Sequence, residues 1–406
     1  MRLIRENYLR MIRPYYETDV IKVITGVRRA GKSVILESIR DELSASGVGG
    51  DHIISINLED LDYERIQTAS DLNREIKARI QSQERYYIFI DEIQHVDQFE
   101  KALASFRATL DASIFVTGSN SHLLSGELAT LLTGRTVEFE ILPFSFSEMK
   151  EYFALNHRSF SEDLVYDYLK WGGFPLRFDF HEETSIQRYL TNLYTGIINR
   201  DILTKKSRMD RKIFMDIAMY VLSNAGKEFS AESIREYYQK KNHRSIGQRT
   251  IYNYFEKMQK AYLIHPVQKY DIVGKTALQS KQKYYAIDTG FRTIHTNTIN
   301  YEDTFFLENI IYNELLFQGF NVYIGKTHKG EVDFVAIRDG KKCFIQVSYL
   351  LANQSTIDRE FGAFAPITDA SPKYVLSLDR IDLSRNGIAH INIVDFLLHR
   401  RTLTLT

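Results

Sequence analysis

The sequence predicts an α/β protein whose leading part is a doubly wound parallel sheet. Three observations carry that reading. The stretch Gly26-Val27-Arg28-Arg29-Ala30-Gly31-Lys32-Ser33 fits G-x-x-x-x-G-K-[ST], and it lies between a short apolar run and a segment with apolar residues at helical spacing. Short apolar runs then alternate with helical patterns through the first 120 residues, the βαβ rhythm of a sheet covered on both faces. The third of these runs ends in Asp91-Glu92, at the strand end where a doubly wound sheet holds its ligand.

Taken in order, residues 1–20 read as an amphipathic helix of Leu3, Tyr8, Leu9, Met11 and Ile12 interleaved with arginines. Residues 21–24 are the first strand. After the helix that follows Lys32, Gly47-Val48-Gly49-Gly50 breaks the chain and 53–58 form a second strand ending in Glu59-Asp60. A helix is expected over 70–83, a strand over 86–90, a helix over 97–109 and a fourth strand over 113–117, ending in Gly118-Ser119-Asn120. From 145 to 205 the pattern turns helical, and Gly172-Gly173-Phe174-Pro175 must separate two helices. Three helical patterns fill 210–262, and a hairpin around Gly274-Lys275 follows, which together make a winged helix-turn-helix. The remainder runs helix, strand, turn, strand, strand, helix, strand, with strands near 320–324, 332–337, 342–348 and 373–378. The expected domains are therefore 1–145, a P-loop domain; 146–205, a helical lid or connector; 206–295, the winged helix; and 296–406, a small α/β domain.

Composition narrows the function classes. At 406 residues the chain exceeds one ordinary core, and its 44% hydrophobic and 26% charged residues are those of a globular protein. Lys plus Arg equals Asp plus Glu at 52 each, so no global field recruits nucleic acid or membrane. The single cysteine, Cys343, fits a reducing compartment and reads as a small buried hydrophobe in a strand. Arginines at 2, 5, 10 and 13 break any secretory apolar core, and no run approaches the ~20 residues that span a bilayer. A cytoplasmic protein without a membrane partner is expected. The eleven histidines show no zinc-ligand spacing, and His95 reads as structural.

The phosphate loop defines the expected chemistry. Residues Gly26, Val27, Arg28, Arg29, Ala30, Gly31, Lys32, Ser33 and Val34 would cradle a polyphosphate with backbone N–H groups and a helix N-terminus. Lys32 would reach the β- and γ-phosphates, and Ser33 and Asp91 would hold Mg2+, Asp91 through its water shell. Glu92 would orient or deprotonate the attacking water. Arg28 and Arg29 either touch nucleotide or form salt bridges on the outer face of the loop. Ser119 and Asn120 end the neighbouring strand beside the γ-phosphate; Asn120 senses that phosphate or caps the turn. Arg135, after Leu131-Leu132-Thr133-Gly134, is an arginine that a neighbouring subunit would supply to the γ-phosphate, or a surface arginine.

These residues resemble a known group. Gly-Val-Arg-Arg-Ala-Gly-Lys-Ser (26–33), Phe-Ile-Asp-Glu-Ile-Gln (89–94), Val-Thr-Gly-Ser-Asn-Ser (116–121), Leu-Leu-Thr-Gly-Arg (131–135) and Gly-Gly-Phe-Pro (172–175) are similar to the prokaryotic AAA-type ATPases that carry a C-terminal domain of unknown function. The resemblance covers nearly the whole chain. It implies ATP as ligand, ATP hydrolysis, and Arg135 at the arginine-finger position of a homo-oligomer.

Beyond the ATPase part, residues 227–283 hold 12 Lys and Arg against 5 Asp and Glu, a net +7 in a neutral chain. His243, Arg244, Gln248, Arg249, Tyr252 and Asn253 lie near the start of the expected recognition helix, where they would track or read DNA. A solvated face, or a winged helix used for subunit packing, has the same composition. The last domain resembles the PD-(D/E)xK nuclease fold, with Glu308 on a helix, Glu331-Val332-Asp333 entering a strand and Gln346-Val347-Ser348 on the next. Gln346 and Ser348 replace the acid and lysine of that pattern, so cleavage is expected to be lost unless Lys326 or Lys329 takes the lysine's place. Two functions fit: an ATPase driving a DNA transaction, or a nucleotide-dependent switch or assembly protein binding protein partners through its C-terminal domains.

Overall fold

The computed structural model describes residues 2–119, 132–203, 209–228, 230–242, 245–295 and 304–405. They form two compact units, one of residues 1–142 with 260–262, the other of 143–259 with 263–406.

The first unit is built on five parallel strands, β1 (Ile21–Thr25), β2 (Ile53–Asn57), β3 (Tyr86–Asp91), β4 (Ala112–Thr117) and β5 (Thr136–Glu140), in the order β2-β3-β4-β1-β5. All four pairings are parallel. β1 is buried along its whole length and β3 along all but its last residue, as residues covered by helices on both faces must be. Ile54, Ile56, Ile88, Ile90, Val23 and Val116 pack into one core, and Phe89 stacks on Phe115 at 4.8 Å across β3 and β4.

Local chemistry trims two expected helices. The segment expected as a helix over 1–20 is helical only over Glu6–Ile12, followed by a 3-10 turn Arg13–Tyr15, because Pro14 has no N–H to continue the ladder. The helix expected over 70–83 runs Ala69–Arg79. It starts in a Thr68/Asp71 capping box and stops where the Tyr86 hydroxyl accepts the Gln81 and Ser82 N–H groups at 2.9 and 3.2 Å, which holds the chain off helical geometry. β5 was not expected. Its alternation Thr-Val-Glu-Phe-Glu is the period-2 pattern of a half-buried edge strand.

In the second unit, helices Phe146–Leu155 and Leu164–Trp171 are followed by Glu183–Ile197. The second of them ends at Gly172, with φ +71°. A Cβ there would fall 1.7 Å from Asp288 Oδ1, so only glycine fits. Asp288 lies wholly inside, taking N–H bonds from Gly173 at 2.7 Å and Gly290 at 2.8 Å, and burial pushes its carboxyl up to about 6. Helices Arg211–Ser223, Ala231–Asn242 and Gln248–Lys260 come next.

Seven strands follow: β6 (Ile264–Asp271), β7 (Thr276–Ala286), β8 (Asn321–Lys326), β9 (Glu331–Arg338), β10 (Lys341–Val347), β11 (Lys373–Ser377) and β12 (Ala389–Asn392). They make one mixed sheet, β12-β11-β10-β9-β8-β6-β7. The β6–β7 hairpin, expected as a wing, therefore continues the sheet of the last third through the parallel β6–β8 pairing. β8, β9 and β10 form an antiparallel meander, and β11 and β12 add to it in parallel. No helix among the described residues is long and apolar enough to cross a membrane.

Candidate functional site

The loop after β1 turns at Gly26, whose φ is +131°. A Cβ at that position would lie 2.3 Å from the Ile141 carbonyl oxygen, so the strand can leave the sheet here only as glycine. Val27 and Ala30 are fully buried anchors, and Gly31, at φ +101°, heads the helix Lys32–Ala45. The loop and that helix N-terminus thus enclose a space lined by backbone donors. Lys32 is buried, its Nζ donating to the Gly26 and Val27 carbonyls at 3.1 and 3.3 Å. Arg28 bonds Glu59 at 2.7 Å, the salt-bridge alternative, whereas Arg29 is exposed. Val34 is half-buried one residue after Ser33.

At the end of β3, two acids take different partners. The Thr117 hydroxyl donates to Asp91 Oδ1 and accepts the Glu92 N–H at 2.9 Å, tying β3 to the end of β4. The Ser33 hydroxyl stands beside the Asp91 carboxylate; burial pushes that carboxyl up and the Glu92 charge adds to it, while the Thr117 bond, the nearby Ser33 hydroxyl and the Lys32 charge oppose. Glu92 sits at φ +56°, a left-handed geometry that a non-glycine residue adopts at a cost of about 1–3 kcal/mol. The Glu92 carboxylate is held by Gln94. Gln94 Nε2 reaches on to the Ser119 hydroxyl at 3.4 Å, and Ser119 is almost wholly buried.

Lys32, Ser33, Asp91, Glu92 and Ser119 therefore gather at the carboxyl ends of β1, β3 and β4, neighbours in the sheet. A hydroxyl and a carboxylate in mutual contact are the hard oxygen donors Mg2+ takes alongside phosphate oxygens and water. Among the described residues no group of three His, Cys, Asp or Glu side chains could hold a metal alone, so the donor set suits a cation brought in with a polyphosphate. Asn120 lies outside the described residues. Arg135 stands elsewhere: its carbonyl accepts the Ile21 N–H at 2.9 Å, at the amino end of β1 and the opposite end of the sheet from the loop.

Sequence reasoning overlooked Arg5. The residue is 1% exposed, and its guanidinium donates from Nη1 to the Ala30 carbonyl at 3.0 Å and the Leu142 carbonyl at 2.9 Å and lies over the Tyr8 ring. It braces the phosphate loop from beneath. Four arginines at 2, 5, 10 and 13 look alike in sequence, and only the packed helix shows which one is inside.

The second unit holds a cavity of about 1000 Å³ lined in part by Glu308, Glu331, Asp333 and Gln346. Tyr285 donates to Glu308 at 3.1 Å, and Asp333 accepts the Val347 N–H at 2.8 Å. Lys326 and Lys329 are exposed. Two lysines meet Glu331, Lys269 of β6 and Lys283 of β7, the latter at 3.4 Å; burial lowers the Lys283 pKa, but Glu308, Asp333 and Glu331 outweigh that and hold it above the usual lysine range. The Ser348 hydroxyl turns to the Leu350 carbonyl. Of the basic residues in 227–283, Arg235, Lys241, Lys269 and Lys283 have carboxylate partners, which reduces the free positive face. Gln248 bonds Glu232 at 3.1 Å; Arg249, Tyr252 and Asn253 are exposed, while His243 and Arg244 lie outside the described residues.

A parallel sheet with this loop after its β1 strand defines the P-loop nucleotide-binding class, and the family match makes it an AAA-type domain. Residues 18–150 match the family described as AAA domain, and 162–301 match a domain of unknown function (DUF8612). The chain belongs to the same family as an uncharacterized protein of Haemophilus influenzae, 34% identical over 404 residues that cover 97% of this chain and 98% of that one. An uncharacterized protein of Methanocaldococcus jannaschii is 32% identical over 358 residues, covering 85% of this chain and 78% of that one. Among solved structures, a Walker-type ATPase of Pyrococcus abyssi shares the fold with a TM-score of 0.51 at 17% identity, over 72% of this chain and 95% of that one.

Proposed function

We propose that the protein binds ATP with Mg2+ in the loop 26–34 and hydrolyses it, coupling turnover to a DNA transaction. One observation carries the hydrolytic part: the convergence of Ser33, Asp91, Glu92 and Ser119 on the mouth of the phosphate loop. Backbone N–H groups of 26–34 and Lys32 hold the β- and γ-phosphates, for which Lys32 leaves its resting bonds to the Gly26 and Val27 carbonyls. Ser33 and Asp91 hold Mg2+, which when bound neutralises charge on the phosphate oxygens. Glu92 takes the proton of the attacking water, and Ser119, with Asn120 beyond it, registers the γ-phosphate.

The DNA part rests on three helices followed by a hairpin, read as a winged helix, and on the exposed Arg249, Tyr252 and Asn253. The meander β8–β10 with its flanking helices and β11 is read as a PD-(D/E)xK-like fold that no longer cuts, since Gln346 and Ser348 stand where an acid and a lysine would. Binding of protein partners through the same domains is the alternative. ATP turnover measured with and without duplex DNA at two salt concentrations separates them. DNA-stimulated hydrolysis that weakens as salt rises is expected, because phosphate contacts release counterions, and plasmid in the same reactions stays uncut with Mg2+ or Mn2+. Hydrolysis indifferent to DNA at both salts would leave the protein-partner reading.

A further inference from the structure

Gln94 occupies a position the reading above does not use. Its Nε2 donates to a Glu92 carboxylate oxygen and reaches Ser119 Oγ at 3.4 Å. A carboxylate can only accept, so the amide orientation is fixed by that neighbour. The other end of the amide, Oε1, is buried and has no hydrogen-bond partner among the described residues. A buried acceptor left open is rare in folded proteins and marks a place where a donor is missing. Oε1 belongs to the same planar amide whose Nε2 is shared by the Glu92 carboxylate and the Ser119 hydroxyl, so its open lone pairs stand next to the carboxylate assigned to take the water's proton.

We propose that Gln94 is a second catalytic residue of the ATPase site: Oε1 accepts a hydrogen bond from the attacking water while Nε2 holds Glu92 in line to take that water's other proton. The assignment rests on the hydrolytic reading of the site. In the step it serves, the water oxygen bonds the γ-phosphorus and the bond from that phosphorus to the β,γ-bridging oxygen breaks. ADP leaves with the electron pair, and the water's proton passes to Glu92. One planar amide thereby fixes both the water and its base, which a carboxylate alone on a free rotor does not do. Ser119 at the same Nε2 links this geometry to the strand end beside the γ-phosphate.

Gln94→Leu, with Gln94→Met as a second variant of similar volume, tests the assignment by three measurements: kcat, ATP affinity, and affinity for ADP with aluminium fluoride, which mimics the transferring phosphoryl group with its water in place. Expected are an unchanged ATP dissociation constant and melting temperature within a few degrees of the parent. Turnover falls about 10²-fold, and ADP–aluminium fluoride binding weakens in parallel. A variant that folds, turns over at the parental rate and binds the analogue as the parent does overturns the role of Gln94 alone. Equal losses in ATP and analogue binding also overturn it, since they mean a structural role. A parent protein that neither hydrolyses ATP nor binds the analogue overturns the ATPase reading, and this assignment with it.

Discussion

The proposed reading gives Lys32 and Glu92 separate work, and substitution separates the two roles. Lys32 is poised over its own loop carbonyls, so Lys32→Ala removes the cation that would meet the phosphates in the proposed reading. Glu92 has its carboxylate held by Gln94. Isothermal titration is expected to show ATP affinity lost in Lys32→Ala and kept in Glu92→Gln, with turnover absent from both. Glu92→Gln turning over at the parental rate would show that another group is the base. Arg5 gives a second prediction at this scale. Its buried guanidinium ties Ala30 to Leu142, and leaving those carbonyls without a donor costs about 1–3 kcal/mol each. Arg5→Met should lower the melting temperature and weaken ATP binding together, because the loop loses its brace; a loss of stability with ATP affinity intact would confine Arg5 to the fold.

The Gly172-Gly173 turn shows the same logic at the scale of an element. Two helices can be separated by any pair of glycines, but this pair is closed by Asp288, which takes the Gly173 and Gly290 N–H groups inside the second unit. Burial raises the Asp288 carboxyl to about 6 from an ordinary 3.8, so the folded state binds its proton more tightly than the unfolded chain. The stability contributed by that proton is full below about pH 4 and lost as pH rises through 6, about 3 kcal/mol in all. Asp288→Asn cannot titrate. Denaturant unfolding of parent and variant from pH 4 to 7 should show the variant less stable at pH 4, where one N–H bond is lost, and the difference shrinking or reversing by pH 7. A pH-independent difference would mean that Asp288 keeps an ordinary affinity for its proton.

Arg135 acquires its meaning only from the whole molecule. It is exposed and lies just before β5, its carbonyl on the first residue of β1, while the phosphate loop follows the last residue of β1, roughly 13 Å or more away along the strand at ~3.3 Å per residue. An arginine so placed starts at the opposite end of the sheet from its own phosphate loop, and an oligomer in which it reaches a neighbour's γ-phosphate is the arrangement we propose. Removing it should slow turnover by ~10³-fold while sparing ATP binding. Mixing inactive Arg135→Ala with inactive Lys32→Ala then creates some interfaces with an intact loop and an intact arginine, and activity should partly return. Native mass measurement must show both variants in one assembly; no recovery there would count against action across subunits.

Much of the first unit was legible because its signals are local. A glycine-rich loop must lie between a strand and a helix, buried strands read as apolar runs, and Asp91-Glu92 ends one of them. β5 was missed although its alternation is visible, because an edge strand pairs on one side and shows only half the apolar signal. The helix boundaries moved where Pro14 and the Tyr86 hydroxyl intervened. By itself the sequence determined the residue types at the nucleotide site and the order in which strands and helices follow. Tertiary structure alone decided that Arg5 is the inward arginine, that Lys269 and Lys283 rather than Lys326 or Lys329 pair with Glu331, that the hairpin joins the last sheet, and that Gln94 bridges Glu92 and Ser119. Each of these pairs residues far apart in the chain or turns on one side-chain direction, and neither distance across a sheet nor the aim of a buried amide is written in residue spacing.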